Sequence, residues 1–435
     1  MLNARAGWTI GLALLGLLVD PAARAAEGLP TLREVLRHFE VAYVDTANPA
    51  ALALGALQGL ARVAPACRAE LLPPPGLARL ICGEARHDIP LAALADSKEL
   101  ARELEACAAQ ALAAQAGLTR IKLERAMLRE LVARCGDHWS VFLEEELVPR
   151  LVDDGSTPAA SAGLLFEPSP SGLLVLDVVE GMPAARAGIL RGQRVEALGG
   201  RPAALLNELE ALALVRGKPG EKVEAVVAGK TYTLELAEEP KRHLSVSELG
   251  QGLARVHLSD FRQQTGQRLA GVLEKLEAGG GLKGLVLDLR GNPGGLVTEG
   301  TAVAGLFLPA GPVVSVAGKE HQRIQVERNP QGGLWQQLPL VVLVDHRSAS
   351  VSEIVVMALR DARRAKLVGE TTLGKGTVQD VLELSEGSAL KLSTGRYYSP
   401  AGTPNYDGIE PDVSVAWDGR GEDVQLKRAL ALLGK

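Results

Sequence analysis

A serine and a lysine, 25 residues apart, are the two side chains of this sequence best suited to act together in a reaction. Ser350 ends the small-residue turn Asp345–Ser350, after an apolar strand predicted at Leu340–Val344 and before a predicted helix. The dipole and free N–H groups of a helix N-terminus suit a nucleophile whose attack creates an oxyanion. Lys375 lies between two glycines, where burial would lower a pKa that starts near ~10.4 and make the amine a general base.

Each residue alone also has an ordinary structural interpretation. Ser350 could cap the helix, with Glu353 in its first turn, and Lys375 could be a solvated loop residue. A Ser–His–Asp triad is a further alternative, but His346, only four residues before Ser350, is badly placed to approach the hydroxyl as a base. The sequence contains no His-Glu-x-x-His motif and no other clustered ligands, so neither a catalytic metal nor a cofactor is predicted.

A glycine-rich loop follows the apolar strand predicted at Gly284–Leu289. Glycines at a strand-to-helix turn allow backbone N–H groups to point at an oxyanion without a side chain in the way. We therefore expect the N–H of Gly294 or Gly295, together with that of Val351, to form an oxyanion hole. Such loops also cradle phosphates, but the G-x-x-x-x-G-K-[ST] motif is absent, which disfavours nucleotide binding.

Three phrases of the sequence, taken together, resemble the signatures of the carboxyl-terminal processing (tail-specific) proteases, which use a Ser–Lys dyad. The phrases are Asp288-Leu289-Arg290-Gly291-Asn292-Pro293-Gly294-Gly295, Ser348-Ala349-Ser350-Val351-Ser352-Glu353 and Gly374-Lys375-Gly376-Thr377-Val378-Gln379. The resemblance implies that Ser350 is the nucleophile, Lys375 the base and Gln379 the residue that orients the lysine. It also implies a mixed-sheet protease core of the ClpP/crotonase type over residues 241–435, within an α/β (α+β multidomain) protein.

The resemblance covers about Leu32–Pro65 and Trp139–Leu433. The family's N-terminal helical region is followed by a phrase of the type D-P-H-S, which here corresponds to Asp137-His138-Trp139-Ser140. One departure lies beside the nucleophile, where Val351 replaces the usual alanine. Its two additional methyl groups are expected to narrow the site.

Between residues 160 and 240 the pattern changes to short strands and turns. The phrase Pro183-Ala184-Ala185-Arg186-Ala187-Gly188 resembles that of PDZ domains, which add a captured chain end to the sheet as an extra strand. The resemblance implies a loop that receives the terminal carboxylate, formed by Ala162, Gly163, Leu164 and Leu165. Leu165 and Gln193 depart from the usual glycine and aspartate, so ligand preference stays open, and a purely structural β-domain is the alternative.

The N-terminus has the features of a secretory signal peptide over residues 1–25. Arg5 supplies positive charge, Trp8–Val19 is apolar, and Ala23-Arg24-Ala25 matches an A-x-A cleavage site. We expect cleavage near Ala25 and a periplasmic location. An uncleaved anchor is the alternative, and membrane contact is expected at most through that segment.

Four cysteines, Cys67, Cys82, Cys107 and Cys135, lie within a helical region predicted at 26–155, in an insertion at about 65–135. Export to an oxidising compartment predicts two disulfides, with all three pairings open. The insertion could dock an adaptor, mediate self-association or simply thicken the structure.

Length and charge narrow the function classes. A chain of 435 residues predicts two or three domains, and a net charge of −5 gives no indication of nucleic-acid binding. The sequence therefore predicts an exported serine endopeptidase acting on proteins or peptides with free C-terminal tails. The alternative is a catalytically idle or latent PDZ-containing scaffold on the same fold.

Overall fold

The structure is a computed structural model that describes residues 28–72, 76–94, 96–151, 160–169, 172–179, 181–238, 243–321, 325–405, 407–417 and 421–434. The signal peptide predicted at 1–25 lies outside these ranges. The described residues form two compact units, a core unit of residues 243–378 and 394–434 and an N-terminal unit of residues 28–238 and 379–393. Within the described ranges, every helix is too short or too polar to span a bilayer.

The N-terminal unit starts with helices that share one apolar core with a small antiparallel sheet, ordered β1-β2-β3. The elements are α1 (Pro30–Val41), α2 (Pro49–Val63), β1 (Cys67–Leu72), β2 (Leu77–Cys82), β3 (Ala85–Pro90), α3 (Ser97–Ala114), α4 (Arg120–Ala133), β4 (Val141–Leu143) and α5 (Val148–Leu151). A helical region is predicted here from the sequence, but the three strands β1, β2 and β3 are not.

Two glycines one helical turn apart bring α2 against α4. A Cβ atom at Gly55 would lie 2.3 Å from the Glu130 carbonyl oxygen, and one at Gly59 would lie 2.0 Å from that of Ala126. Only hydrogen fits at these positions, so the two backbones pack directly on each other. Asn48 fixes the start of α2, because its Oδ1 accepts from Ala50 N at 2.9 Å and Pro49 supplies the first helical residue.

One disulfide is formed, and the expectation of a second one is wrong. Cys67 and Cys82 are paired opposite each other in β1 and β2, with their Cα atoms 4.1 Å apart, and form the disulfide. Cys107 and Cys135 are free, buried thiols. Cys107 lies in the buried face of α3, and the Cys135 thiol is directed to the Asp137 carbonyl oxygen at 3.6 Å. Burial raises the pKa of Cys107 to about 12 and that of Cys135 to about 11, which favours inert thiols.

The second part of the N-terminal unit is a β-domain with its own core. Its elements are β5 (Ala160–Ser161), β6 (Leu164–Ser169), β7 (Gly172–Val178), α6 (Pro183–Arg186), β8 (Arg194–Leu198), β9 (Arg201–Pro202), α7 (Glu208–Leu214), β10 (Arg216–Gly217), β11 (Lys222–Val227), β12 (Lys230–Glu235) and β13 (Ala237–Glu238). The main sheet has the order β12-β11-β8-β7-β6, so β6 lies at an edge, and α7 packs against it.

The core unit is built on a mostly parallel sheet with the order β14-β15-β16-β19-β20-β23. The elements that follow residue 243 are β14 (Leu244–Gly250), β15 (Leu253–Leu258), α8 (Thr265–Ala278), β16 (Gly284–Asp288), α9 (Val297–Gly305), β17 (Gly311–Gly318), β18 (Gln325–Asn329), β19 (Leu340–Val344), α10 (Val351–Asp361), β20 (Lys366–Gly369), β21 (Thr377–Glu383), β22 (Ala389–Tyr398), β23 (Val413–Ser414) and α11 (Val424–Leu432). Most of β21 and the first half of β22 belong to the N-terminal unit. The predicted fold class, a mixed-sheet core with a PDZ-like domain and N-terminal helices, is confirmed.

Both faces of the central strands are covered, as their continuous apolar sequences indicate. Leu285 and Leu287 of β16 join the residues of α8, α9 and α10 in one core cluster, whereas Val286 joins α11 in another. Because β16 and β19 are parallel neighbours, the loops that follow them leave the sheet at the same edge. These are the glycine-rich loop and the turn that carries Ser350.

The segment 379–393 belongs to the N-terminal unit by its packing. Leu384, Leu390 and Leu392 are part of the helical core cluster. The first residues of β22 pair with β4, with Leu390 opposite Phe142.

Candidate active site

The Ser350 turn is fixed by a network that also fixes the glycine-rich loop. Asp345 Oδ1 accepts hydrogen bonds from Ser348 N at 3.1 Å and from Gly291 N at 2.9 Å. The Ser348 hydroxyl donates to the Leu289 carbonyl oxygen at 2.8 Å. Ser350 itself is half-buried at the start of α10 and has a φ of +54°. A non-glycine residue with this backbone is strained, by about 1–3 kcal/mol, and such strain is concentrated at functional sites.

The lysine loop lies against the same turn. Leu373 N donates to the Ser348 carbonyl oxygen at 3.0 Å, two residues before the half-buried Lys375. On the other side of the lysine, a Cβ atom at Gly376 would lie 1.8 Å from the Asn405 carbonyl oxygen, so the loop requires glycine there. The backbone on both sides of Lys375 is therefore in direct contact with neighbouring segments.

One buried carboxylate joins the Ser350 turn to the lysine loop. Glu353 is 1% exposed, and its Oε2 accepts from Ser350 N at 2.8 Å and from Lys375 N at 2.9 Å. Its Oε1 accepts from Gly374 N at 2.7 Å and from the Thr372 hydroxyl at 2.6 Å. Because one oxygen atom accepts from both residues, the backbone nitrogens of Ser350 and Lys375 lie within two hydrogen-bond lengths of each other.

The glycine-rich loop lies beside Ser350. A Cβ atom at Gly294 would be 3.0 Å from the Ser350 Cβ atom and 3.0 Å from Val351 N, so the loop meets the start of α10 at its first backbone N–H. The two predicted loop donors differ. Gly294 is buried and its N–H donates to Asn292 Oδ1 at 2.9 Å, whereas Gly295 is exposed.

A buried ion network anchors the strand end before this loop. The Arg290 guanidinium donates to Asp288 Oδ2 at 2.7 Å and to Asp423 Oδ2 at 2.9 Å, at the start of α11. Burial alone would raise the pKa of Asp288, but the hydrogen bonds and charges of Arg290 and Arg255 hold it well below its usual range. Burial would likewise lower the pKa of Arg290, but its two carboxylate partners raise it. Each charge is paired, which is the condition for burying it.

Gln379, predicted to orient the lysine, belongs to the N-terminal unit. Its Nε2 lies 3.4 Å from the Ser393 hydroxyl, which donates to Asp137 Oδ1 at 3.3 Å. The same Asp137 oxygen accepts from Ser140 N at 2.8 Å. The phrase Asp137-His138-Trp139-Ser140, noted in the sequence without a role, therefore supports the position of Gln379.

The histidine nearest to Ser350 in the sequence has a carboxylate partner. His346 Nδ1 lies 2.9 Å from Glu370 Oε2. Among the residues that the structure describes, no group of three or more His, Cys, Asp and Glu side chains is arranged to hold a metal ion.

The predicted carboxylate loop of the β-domain lies at the start of its edge strand. Ala162 N donates to the Val215 carbonyl oxygen at 2.9 Å and Gly163 N to the Ser161 hydroxyl at 3.2 Å. These two N–H groups are therefore engaged within the domain. A peptide carboxylate would have to use N–H groups further along, where Leu164 and Leu165 begin β6.

Comparison with known proteins agrees with these motifs. The family model for peptidase family S41 matches residues 252–415, and the model for PDZ domains matches residues 174–229. A carboxyl-terminal-processing protease of Synechocystis sp. is 32% identical over 326 residues, which cover 70% of this chain and 76% of the relative. This chain belongs to the carboxyl-terminal-processing proteases of peptidase family S41.

Other members differ in how much of their length is matched. The carboxy-terminal-processing protease of Bartonella bacilliformis is 31% identical over 290 residues, covering 64% of this chain and 66% of the relative. The matched part thus spans just under two thirds of that relative's length. The solved structure of the photosystem II D1 C-terminal processing protease superposes with a TM-score of 0.59 at 27% identity, covering 73% of this chain and 87% of that one.

The expectation that Val351 narrows the site of this family member is wrong. The side chain is completely buried, and a Cβ atom at Gly300 of α9 would lie 2.2 Å from Val351 Cγ1. The Cγ1 methyl group thus occupies the space that Gly300 leaves between α9 and α10, and the fully buried side chain does not line an open site.

Because Val351 occupies the space above Gly300, substitutions at these two positions should compensate each other. Gly300→Ala and Val351→Ala should each destabilise the core unit by about 1–3 kcal/mol, the first by overpacking and the second by a cavity. The double variant should recover at least half of the summed loss, because each change relieves the other. Thermal unfolding of the wild type, the two single variants and the double variant measures these losses.

The control is Gly271→Ala, on α8 with open space around it, which should not destabilise the protein. Additive losses in the double variant would contradict the packing described.

Three features of the candidate sites are not predicted by the sequence. The sequence places Glu353 only in the first turn of a helix, does not single out Asn292 within the glycine-rich loop, and does not predict α7 beside β6. The spacing Ser350-x-x-Glu353 is that of a capping box, the one local signal that the carboxylate turns back to the serine.

Proposed function

We propose that this protein is an exported serine endopeptidase that captures the C-terminal tails of proteins and cleaves them with a Ser350–Lys375 dyad. The observation that carries the proposal is the shared Glu353 carboxylate, which accepts from the backbone N–H groups of both residues. A nucleophile and a base from separate loops need such a common support to be held in register. Export is supported by the apolar N-terminal segment and by the Cys67–Cys82 disulfide.

In the proposed mechanism, a neutral Lys375, oriented by Gln379, takes the proton of the Ser350 hydroxyl as its oxygen attacks a peptide carbonyl carbon. The tetrahedral oxyanion is stabilised by the Val351 N–H at the start of α10 and by an N–H of the glycine-rich loop. The C–N bond then breaks, and the lysine returns its proton to the leaving amine. Water hydrolyses the acyl-enzyme by the same route in reverse. The residues present require no further group for these steps.

Tail capture is assigned to the PDZ domain. Its edge strand β6 can accept an extended chain as an added strand, next to α7. The terminal carboxylate of that chain would then lie at the start of β6.

Two otherwise identical unfolded substrates test this function, one ending in a free carboxylate and one in a carboxamide. We expect cleavage of the first with a KM at least about 10-fold lower, since hydrogen bonds to a charged group contribute about 1.5–3 kcal/mol. The kcat values should be similar, because the tail is remote from the reacting bond. Cleavage fragments identified by mass spectrometry provide the readout. Absence of cleavage would contradict the protease assignment, and equal KM values would contradict capture through the carboxylate.

A further inference from the structure

Asn292 connects three segments around the Ser350 turn. The residue is completely buried, and its Nδ2 donates to the Leu258 carbonyl oxygen at the end of β15, at 3.0 Å. Its Oδ1 accepts from Gly294 N at 2.9 Å. Its backbone carbonyl oxygen accepts from Ala349 N at 3.0 Å and from the Ser352 hydroxyl at 2.9 Å. The glycine-rich loop is thereby attached to the sheet on one side and to the Ser350 turn on the other.

Because of the Asn292 side chain, the N–H groups of the adjacent residues Gly294 and Gly295 differ in their hydrogen bonding. The Gly294 N–H is directed inward to Asn292, and the Gly294 carbonyl oxygen accepts from Phe261 N at 2.9 Å. Gly295 is exposed, and its N–H donates to no other residue that the structure describes. Both glycines have positive φ values, +109° and +146°, a backbone that other residues rarely adopt.

We propose that Asn292 is the positioning residue of the oxyanion hole: by holding the Gly294 N–H inward, it leaves the Gly295 N–H as the loop's donor to the oxyanion. This inference rests on the proposed function and deepens it. The Val351 N–H supplies the second donor, and the Asn292 carbonyl, bound to Ala349 and Ser352, fixes the loop relative to Val351. Asn292 does not touch the substrate, so it acts on the reaction only through the direction of backbone amides.

Loss of this support should affect the transition state more than substrate binding. Removal of one oxyanion donor lowers kcat by about 10²–10³-fold, and a displaced donor acts in the same direction. In Asn292→Ala, kcat should fall by about 10²–10³-fold while KM changes by less than about 3-fold.

The matched control is Asn329, a half-buried asparagine elsewhere in the core unit. Its Nδ2 donates to the carbonyl oxygens of Gly305 at 3.0 Å, Leu308 at 3.1 Å and Pro309 at 3.2 Å. Asn329→Ala therefore removes an asparagine side chain that holds a loop by similar bonds. It should lower the thermal midpoint by an amount similar to that caused by Asn292→Ala but leave kcat within about 2-fold.

The experiment measures kcat, KM, thermal midpoint and the affinity for a peptide aldehyde in wild type, Asn292→Ala and Asn329→Ala. The Ser350 hydroxyl adds across the aldehyde C=O, and the resulting hemiacetal oxygen occupies the oxyanion position. Aldehyde affinity should therefore fall in Asn292→Ala by a factor close to the loss in kcat, while affinity for the same peptide ending in a carboxamide stays unchanged. If Asn292→Ala does not fold, Asn292→Leu retains the approximate shape of the side chain but removes both the acceptor for Gly294 and the donor to Leu258. It should show the same preferential loss.

The possible outcomes distinguish failure of the proposed protease function from failure of the Asn292 inference. A wild type that neither cleaves nor binds the aldehyde overturns the proposed function and this inference together. An active wild type with a folded Asn292 variant of unchanged kcat and aldehyde affinity overturns the inference alone. Equal losses in the Asn292 and Asn329 variants also overturn it, because the effect would then reflect general stability.

Discussion

Replacement of Ser350 by alanine, or of Lys375 by alanine, is expected to lower kcat/KM for an unfolded test protein by at least about 10⁴-fold. The serine variant lacks the nucleophile, and the lysine variant lacks the group that removes its proton. Lys375→Arg should be equally inactive, because a guanidinium remains protonated and cannot act as a base. The rate of appearance of cleavage fragments measures each loss.

Both changes should leave the fold intact, because the hydrogen bonds from Ser350 and Lys375 to the Glu353 carboxylate are donated by backbone N–H groups, which alanine retains. The controls are Ser247→Ala, on the exposed strand β14, and Lys366→Ala, in an exposed ion pair with Asp412. Both should retain wild-type rates. Full activity in the Ser350 or Lys375 variant would contradict the dyad.

Glu353→Gln is expected to cause the second large loss, about 10²-fold or more in kcat, with little change in KM. Its carboxylate accepts four hydrogen bonds, and a glutamine amide would direct N–H donors at some of these N–H and O–H groups. Buried donors would then lack an acceptor, and the Ser350 turn and the lysine loop would lose their common support. A displacement of about 1 Å between reacting groups can cost 10²-fold in rate.

The matched control for this prediction is Glu299 of α9. Its carboxylate also accepts from two backbone N–H groups, Gln264 at 2.9 Å and Gly266 at 3.1 Å, but it does not join the two loops. Glu299→Gln should lower thermal stability slightly and leave kcat within about 2-fold. If Glu353→Gln were folded and fully active, Glu353 would not be needed to position the dyad.

The two central strands of the core unit, β16 and β19, could be predicted from the local sequence alone. Gly284–Asp288 and Leu340–Val344 are apolar at nearly every position, which occurs where both faces of a strand are buried. The loops after them carry glycine or small residues at the points where the backbones approach each other. Ser350 and Lys375 could be singled out because each lies in such a loop of glycine and small residues.

Positions that depend on distant partners could not be predicted. Glu353 has its local partner three residues away, but its other three donors lie 19 to 22 residues further along the chain. The role of Val351 depended on the glycine at position 300, which no local pattern associates with it. The prediction of a second disulfide was wrong for a related reason. The number of cysteines does not show where α3 and the end of α4 place Cys107 and Cys135.

The proposed mechanism requires Ser350 to be the nucleophile that is acylated. A peptidyl fluorophosphonate probe should react with the wild-type protein, and mass spectrometry of the digested adduct should locate the modification on Ser350. The adduct should be absent in Ser350→Ala, reduced at least about 10-fold in rate in Lys375→Ala, and competed by an unfolded substrate with a free C-terminal tail. Modification of another residue in an actively cleaving wild type would contradict the Ser350 mechanism.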